Sequence, residues 1–326
     1  MPEQGNHKIL GISSAEFEPL ALAIFREQCR MNAVYGEFIR TLGVDPVAVR
    51  SITQIPFLPV RFFKSRAVQT GDFKPAAIFE SSGTTGMVSS RHLVKDLSVY
   101  EESFTRGFEL VYGPVSRYCL LGLLPSYLER GHSSLVYMVD QLVKKSGHPQ
   151  SGFYAGDYAK LYKVLRQLEQ DGQATLLIGV TYALLDFAAQ YSLPLKHTIL
   201  METGGMKGRR EEMIRPEVHA LLQKSFSVDA VHSEYGMTEL LSQAYSTGSG
   251  VFRCPPWMKV LVRDEEDPFR VLETGSGIIN IIDLANLHSC AFIATDDAGK
   301  CRADGSFEVL GRVDGSDLRG CSLLLV

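Results

Sequence analysis

Apolar and polar positions alternate along the chain in two different rhythms, and the switches between them outline the elements. From about residue 16 to residue 42, apolar side chains return at helical spacing (Phe17, Leu20, Ile24, Cys29, Tyr35, Phe38, Leu42), which predicts one or two amphipathic helices. Prolines follow: "IPFLPVRFFK", residues 55–64, carries Pro56 and Pro59 and predicts an extended segment with aromatic anchors. "AAIFE" (76–80), "RYCLLGLLP" (117–125) and "ATLLIGV" (174–180) are short apolar runs closed by turn or polar residues, the pattern of buried strands. Helical spacing occupies 98–111, 134–145, 158–170 and 182–191 between them, and "HTILMETGG" and "DAVHSEYG" continue the alternation. Strands alternating with helices of this length predict an α/β fold with a mixed, largely parallel sheet covered by helices. After Phe252 short runs are punctuated by Gly and Asp, which predicts a smaller antiparallel C-terminal portion.

Composition changes this picture little. The 326 residues are 45% hydrophobic and 21% charged, enough for one large domain or two unequal ones. A net charge of -4 without a Lys/Arg block gives no footprint for nucleic acid or an anionic membrane surface. The start, "MPEQGNHKIL", has neither a basic nor an apolar leader region, and no run reaches the length of a membrane span, so the expected location is the cytoplasm. Six scattered cysteines (Cys29, Cys119, Cys254, Cys290, Cys301, Cys321) without a CxxC pair argue against a disulfide framework and a zinc ribbon. "LHSC" (287–290) with Cys301 lacks a fourth zinc ligand at useful spacing.

The candidate chemistry starts at "FESSGTTGMVSSRH", residues 79–92. Glycines and hydroxyls concentrated between a strand and a helix suit an anion, because backbone N–H groups can approach it closely. The frame differs from the P-loop GxxxxGK[ST], since Gly86 is followed by Met87. By itself the stretch also reads as a Ser/Thr/Gly-rich surface turn.

"SSGTTG" (81–86) resembles the phosphate-binding loop of the adenylate-forming superfamily of acyl-CoA synthetases, luciferases and adenylation domains, and four later segments follow in that family's order. "METGGMKG" (201–208) resembles its Gly-Gly strand-turn. "SEYGMTE" (233–239) is similar to its YGxTE motif. "ATDDAG" (294–299) stands where it has a TGD-type motif, with Asp296 replacing glycine, and "GRVDGSDLRG" (311–320) resembles the GRxDxxxKxxG hinge, with Arg319 at the lysine position. The resemblance implies an enzyme that joins a carboxylic acid to AMP, with ATP and Mg2+ as cofactors. It places the nucleotide on Ser81, Ser82, Gly83, Thr84, Thr85 and Gly86, with Ser82, Thr84, Thr85 and the glycine N–H groups on the β and γ phosphates. Gly204 and Gly205 would line the acyl and adenine pockets, Tyr235 and Gly236 would flank the adenine, and Thr238 would bond the α-phosphate. Glu239 would hold the magnesium, Asp297 would accept the ribose hydroxyls, and Arg312 would meet the ribose or a phosphate. Taken singly, Tyr-Gly and "TDDAG" are ordinary turn signals.

The family's usual enzymes carry a further domain after the hinge with a lysine for adenylation, whereas this chain ends at Val326. Lys207 as substitute, a slow reaction and a partner protein all remain open. The terminal "SDLRGCSLLLV" resembles the acyl-protein synthetases of LuxE type, which also lack that domain and carry the acyl group on a cysteine near the C-terminus. "FREQCRMNAVYGEFI", "IPFLPVRFFK", "SSRHLVKDLSVYEESF" and "METGGMKGRR" fit the same subfamily. Cys321 would then be the acyl carrier, with Arg319 favouring its thiolate; without the resemblance it reads as a residue packed in an apolar last strand. The expected organisation is one adenylate-forming domain over 1–326, with a helical region 1–75, an α/β core with the nucleotide site 76–250 and a β-rich portion 251–326.

The expected activity is ATP-dependent activation of a fatty or other carboxylic acid and transfer to a protein thiol, with an acyl-CoA reductase or acyltransferase as a partner. Two alternatives are ligation to free CoA and a non-catalytic acyl- or nucleotide-binding subunit. His232 and His92 are candidate proton shuttles as well as structural side chains. The basic cluster 206–210 reads equally as a solvated helix start, and Leu184 and Leu185 read as acyl-pocket lining or as core.

Overall fold

Residues 175–180 are apolar or small at every position, so a strand there has no face to give to water. In the computed structural model, which describes residues 9–81, 88–124, 131–204 and 213–313, all six positions of this strand, β6 (Thr175–Val180), are buried. It lies within a sheet formed by β4 (Cys119–Leu123), β5 (Gly152–Phe153), β6, β7 (Thr198–Thr203), β8 (His232–Tyr235) and β9 (Ala244–Ser246), in the order β5-β4-β6-β7-β8-β9. The pairings from β5 to β8 are parallel and β9 runs antiparallel to β8. Parallel strands need crossovers, and the helices Ser134–Ser146, Tyr158–Gln170, Thr181–Gln190 and Arg215–Phe226 supply them.

Local chemistry sets the helix ends. Asp96, Ser133 and Asp157 each accept a backbone N–H at the start of Leu97–Tyr112, Ser134–Ser146 and Tyr158–Gln170. Gly179 is glycine because a Cβ there would lie 2.8 Å from Leu184 Cγ and 3.0 Å from Leu123 Cβ, so the Leu184 side chain of the following helix packs directly on the β6 backbone.

The chain folds as two compact units, each with its own sheet. The unit just described takes in 77–91 and 96–255, including β2 (Ala77–Glu80) and β10 (Val251–Phe252). The other takes in 1–76, 92–95 and 256–326, with most of β3 (Arg91–Val94). Its sheet is β11 (Met258–Arg263), β12 (Val271–Leu272), β13 (Gly275–Asp283), β14 (Phe292–Cys301) and β15 (Phe307–Arg312), antiparallel in the order β15-β14-β13-β11-β12. β1 (Leu58–Pro59) joins it in parallel against β14.

The N-terminal helices Ser14–Met31 and Ala33–Thr41 belong to this unit. Phe25, Tyr35 and Phe292 form an aromatic core with centroids 5.9 to 6.1 Å apart. The Gln28 amide donates to Asn286 O at 3.0 Å and accepts the Ala291 N–H at 2.9 Å, so a buried polar side chain is satisfied by a turn more than 250 residues away.

Three local expectations are corrected. Phe62–Ser65, expected to be extended, is a single helical turn after Pro59, whose Val60 N–H bonds Ala294 O. β2 is not buried throughout: Phe79 is buried and Ile78 is 39% exposed. The helix Arg215–Phe226, which the spacing did not single out, hides its signal behind Pro216 at its first turn; Val218, Leu222 and Phe226 form its buried stripe. Among the described residues no helix is long and apolar enough to cross a membrane. Cys29, Cys119, Cys254, Cys290 and Cys301 are free thiols, of which Cys119, Cys290 and Cys301 are buried.

Candidate functional site

In an open α/β sheet, ligands bind beyond the carboxyl ends of the strands. Two of the motifs stand there side by side. β7 ends at Thr203 and runs into Gly204, whose φ of +72° suits a residue without a side chain. The adjacent parallel strand β8 ends at Tyr235, with Gly236, Thr238 and Glu239 in the turn beyond it. Gly204 O accepts the Thr181 hydroxyl at 2.9 Å, which ties the turn to the start of the helix Thr181–Gln190 that precedes β7. Tyr235 is buried, edge-on to Phe252 with centroids 5.9 Å apart, and its hydroxyl approaches Met237 Sδ at 3.8 Å. Thr238 is half-buried, and Glu239 is 4% exposed.

Ser81 pairs with Ser90: its N–H donates to Ser90 O at 3.1 Å and its hydroxyl accepts the Ser90 N–H at 2.9 Å. Ser82, Gly83, Thr84, Thr85, Gly86, Gly205, Lys207 and Cys321 lie outside the described residues.

Asp297 and Arg312 are in the other unit, where they are cross-strand partners on β14 and β15. Arg312 is exposed and Asp297 half-buried. Here the sequence had shown two separate motifs; the ladder makes them one place.

Two acidic residues that motif reading passed over occupy the strand ends. Glu202 on β7 and Glu234 on β8 are 4% and 7% exposed. In register, Glu202 faces Ser233 and Thr203 faces Glu234, so the two carboxyls project to opposite faces of the sheet. On one face Glu202 has Arg215 Nε at 3.2 Å, His219 Nε2 at 3.7 Å and the Thr181 hydroxyl at 3.1 Å. Burial opposes its charge, yet His219, Arg215 and Ser233 together hold its pKa below the usual range. The Arg215 guanidinium also covers the Phe252 ring at 5.1 Å.

On the other face Glu234 accepts the Thr203 hydroxyl and neighbours Tyr112 and Tyr245, while Tyr112 Oη lies 3.2 Å from His232 Nδ1. A Cβ on Gly236 would lie 2.5 Å from Glu234 Oε1, so the carboxyl lies against the turn backbone. Burial pushes Glu234 up to about 7; the Thr203 bond opposes this and the Glu202 charge adds to it. Burial, with His219, lowers the pKa of His232, so it stands neutral beside Tyr112. His92 is buried edge-on to Phe63 at 6.1 Å.

The contribution of Glu234 to stability should therefore fall as pH rises from about 4.5 to about 7. In that window the unfolded chain has released the Glu234 proton and the folded chain still holds it. The total is on the order of 3 kcal/mol. Glu234→Gln keeps an oxygen for Thr203 and has no proton to release, so denaturant stability of variant minus wild type should climb by about that amount across the window. The opposite slope from His232 below pH 6.5 is present in both proteins and cancels in the difference. A difference that stays level from pH 4.5 to 8 would show that Glu234 is not held protonated.

Among the described residues no group of three or more His, Cys, Asp or Glu could hold a metal ion. A single buried carboxylate such as Glu239 fits a hard cation whose remaining ligands are phosphate and water oxygens.

With this geometry in place, a family model described as "Acyl-protein synthetase, LuxE" matches residues 13–326. No curated protein matches the chain. Solved structures that resemble it include ATP-bound MatB from Rhodopseudomonas palustris, at 18% identity and TM-score 0.54 over 73% of this chain and 48% of that one. A long-chain-fatty-acid-CoA ligase from Archaeoglobus fulgidus resembles it at 16% identity and TM-score 0.52, over 72% and 51%. McyG A-PCP complexed with phenylalanyl-adenylate does so at 14% and 0.51, over 85% and 54%. At these identities the likeness is one of fold. The chain spans about half the length of these structures.

Proposed function

Because the chain belongs to the LuxE acyl-protein synthetase family, we propose that it activates a carboxylic acid, a fatty acid foremost, with ATP and transfers the acyl group to its own Cys321. A carboxylate oxygen attacks the α-phosphorus, the bond to the β-phosphate breaks, and pyrophosphate leaves. The Cys321 thiolate then attacks the acyl carbonyl, the bond to AMP breaks, and a thioester remains.

The observation that carries this reading is that Gly204 and the 235–239 turn leave the carboxyl ends of adjacent parallel strands. Substrate held there is oriented by fixed groups, which is where such a reaction gains most. Within this proposal residues 81–86 hold the β and γ phosphates, Thr238 bonds the α-phosphate, and Tyr235 and Gly236 flank the adenine beside Gly204 and Gly205. Asp297 accepts the ribose hydroxyls, Arg312 meets the ribose or a phosphate, and Lys207 supplies the cation against the developing charge. Glu239 would hold Mg2+, which when bound spreads the charge of the triphosphate. The 1–326 chain acts as one adenylate-forming domain in the cytoplasm, handing the acyl group to an acyl-CoA reductase or acyltransferase partner.

Intact-mass spectrometry after incubation with ATP, Mg2+ and a panel of fatty acids tests the reading. The expected result is an acyl mass increase that requires ATP and disappears with neutral hydroxylamine. Acid-dependent pyrophosphate release without an adduct would move the acceptor from the protein thiol to CoA or another molecule. Nucleotide binding with neither signal would leave a binding subunit in its place.

A further inference from the structure

β14 changes its outer partner halfway along. Ile293 and Ala294 pair with β1, and residues 297–301 pair with β15. On its inner side Ile278 pairs with Ala298 and Asn280 with Ala294, so Thr295, Asp296 and Asp297 stand opposite Ile279 alone. A bulge of this size disrupts the ladder locally and leaves the orientation of residues 295–297 to other bonds.

Arg263, on β11, supplies them from two strands away. Its guanidinium donates to Ile279 O at 3.1 Å, to Asn280 Oδ1 at 2.7 Å and to Thr295 O at 2.6 Å. The Thr295 hydroxyl donates to the same Ile279 O at 2.8 Å and accepts the Asp297 N–H at 3.1 Å. Asn280 and Thr295 are 1% and 0% exposed, so these bonds are made away from water. Burial lowers the Arg263 pKa and the Asp296 carboxylate counters it, which keeps the cation beside the bulge. Val313 N–H to Asp296 O at 2.7 Å closes the outer side next to the Asp297–Arg312 pair. No acceptor of Arg263 is itself a proposed substrate contact, so it acts through the bulge.

We propose that Arg263 is a positioning residue for nucleotide recognition: it clamps the 295–297 bulge so that the Asp297 carboxylate is presented, opposite Arg312, to the ribose hydroxyls. The proposal rests on the reading of Asp297 given above. A planar fork that reaches acceptors on two strands is needed; lysine offers one compact head and methionine none.

The test is equilibrium binding of ATP and of 2′-deoxy-ATP to the full chain, by calorimetry with Mg2+. Wild type should prefer ATP by about tenfold to a hundredfold, the worth of a hydrogen bond to a carboxylate. Asp297→Ala should bring that ratio close to one. Arg263→Met should do the same, chiefly by weakening ATP, and Arg263→Lys should recover part of it. Thr295→Val, a near-isosteric change, should lower the ratio as well and serves if Arg263→Met does not fold. A general loss of stability weakens both nucleotides alike, so a ratio in Arg263→Met and Thr295→Val equal to wild type, with Asp297→Ala collapsed, overturns the positioning role and leaves the ribose reading standing. An unchanged ratio in Asp297→Ala, or no ATP binding by wild type, removes the reading underneath and the proposal with it.

Discussion

Cys321→Ser should leave acid-dependent ATP–pyrophosphate exchange at its wild-type rate and remove the hydroxylamine-sensitive acyl adduct completely. Exchange reports formation of the acyl adenylate, which needs no thiol, and the adduct reports capture. A serine hydroxyl without a general base attacks poorly, whereas a cysteine is partly thiolate near neutral pH. Four of the five other cysteines make weak competitors. Burial pushes Cys29 and Cys290 up to about 12 and Cys119 and Cys301 up to about 11, so their thiolate fractions are small. Within the proposed function Arg319, two residues before Cys321, would favour its thiolate. Peptide mapping of the labelled wild type decides the matter. An adduct that survives in Cys321→Ser and maps to Cys254 or another thiol sinks the carrier assignment, and a loss of exchange as well would mean Cys321 serves the first step.

Glu239→Gln should reduce exchange by about a hundredfold or more, the usual size when a preorganised charge contact at a reacting phosphate or oxyanion is lost. Glutamine keeps the shape and one oxygen of a side chain that is 4% exposed, so packing is retained while the charge goes. The Mg2+ concentration for half-maximal exchange should rise in parallel, since a neutral amide is a weaker ligand for a hard cation. Thermal melting of the variant, unchanged within a few degrees, separates this from unfolding. A variant with wild-type exchange and an unchanged Mg2+ requirement would contradict the assignment of Glu239 to the metal.

Where a single periodicity governed a segment, sequence and structure agree closely. β4, β6 and the helix Tyr158–Gln170 have the bounds their apolar spacing implies within a residue or two, because a strand buried on both faces or a helix with one apolar stripe has no other stable arrangement. Glu202 and Glu234 were in plain view inside "METGG" and "SEYGMTE", yet their roles were not. A carboxyl's proton affinity depends on what surrounds it, and Thr203, Arg215 and His219 arrive only through strand register and the following helix. The one signal that was available is an acidic residue within an otherwise apolar strand end. Arg263 had no signal at all, since a lone arginine ending "MKVLVR" is ordinary until its three acceptors on β13 and β14 are known.

The sequence by itself determined the α/β alternation, the antiparallel character of the later strands, the ordered motifs and the thiol near the end. These depend on contacts between near neighbours and on residue type. Tertiary structure alone decided that Gln28 meets Ala291, that Asp297, within a bulge, faces Arg312 on β15, and that Glu202 and Glu234 part to opposite faces with opposite shifts. Each of those is a pairing between distant segments, and register between strands is set by the collective burial of their side chains, a quantity that no local window of residues contains.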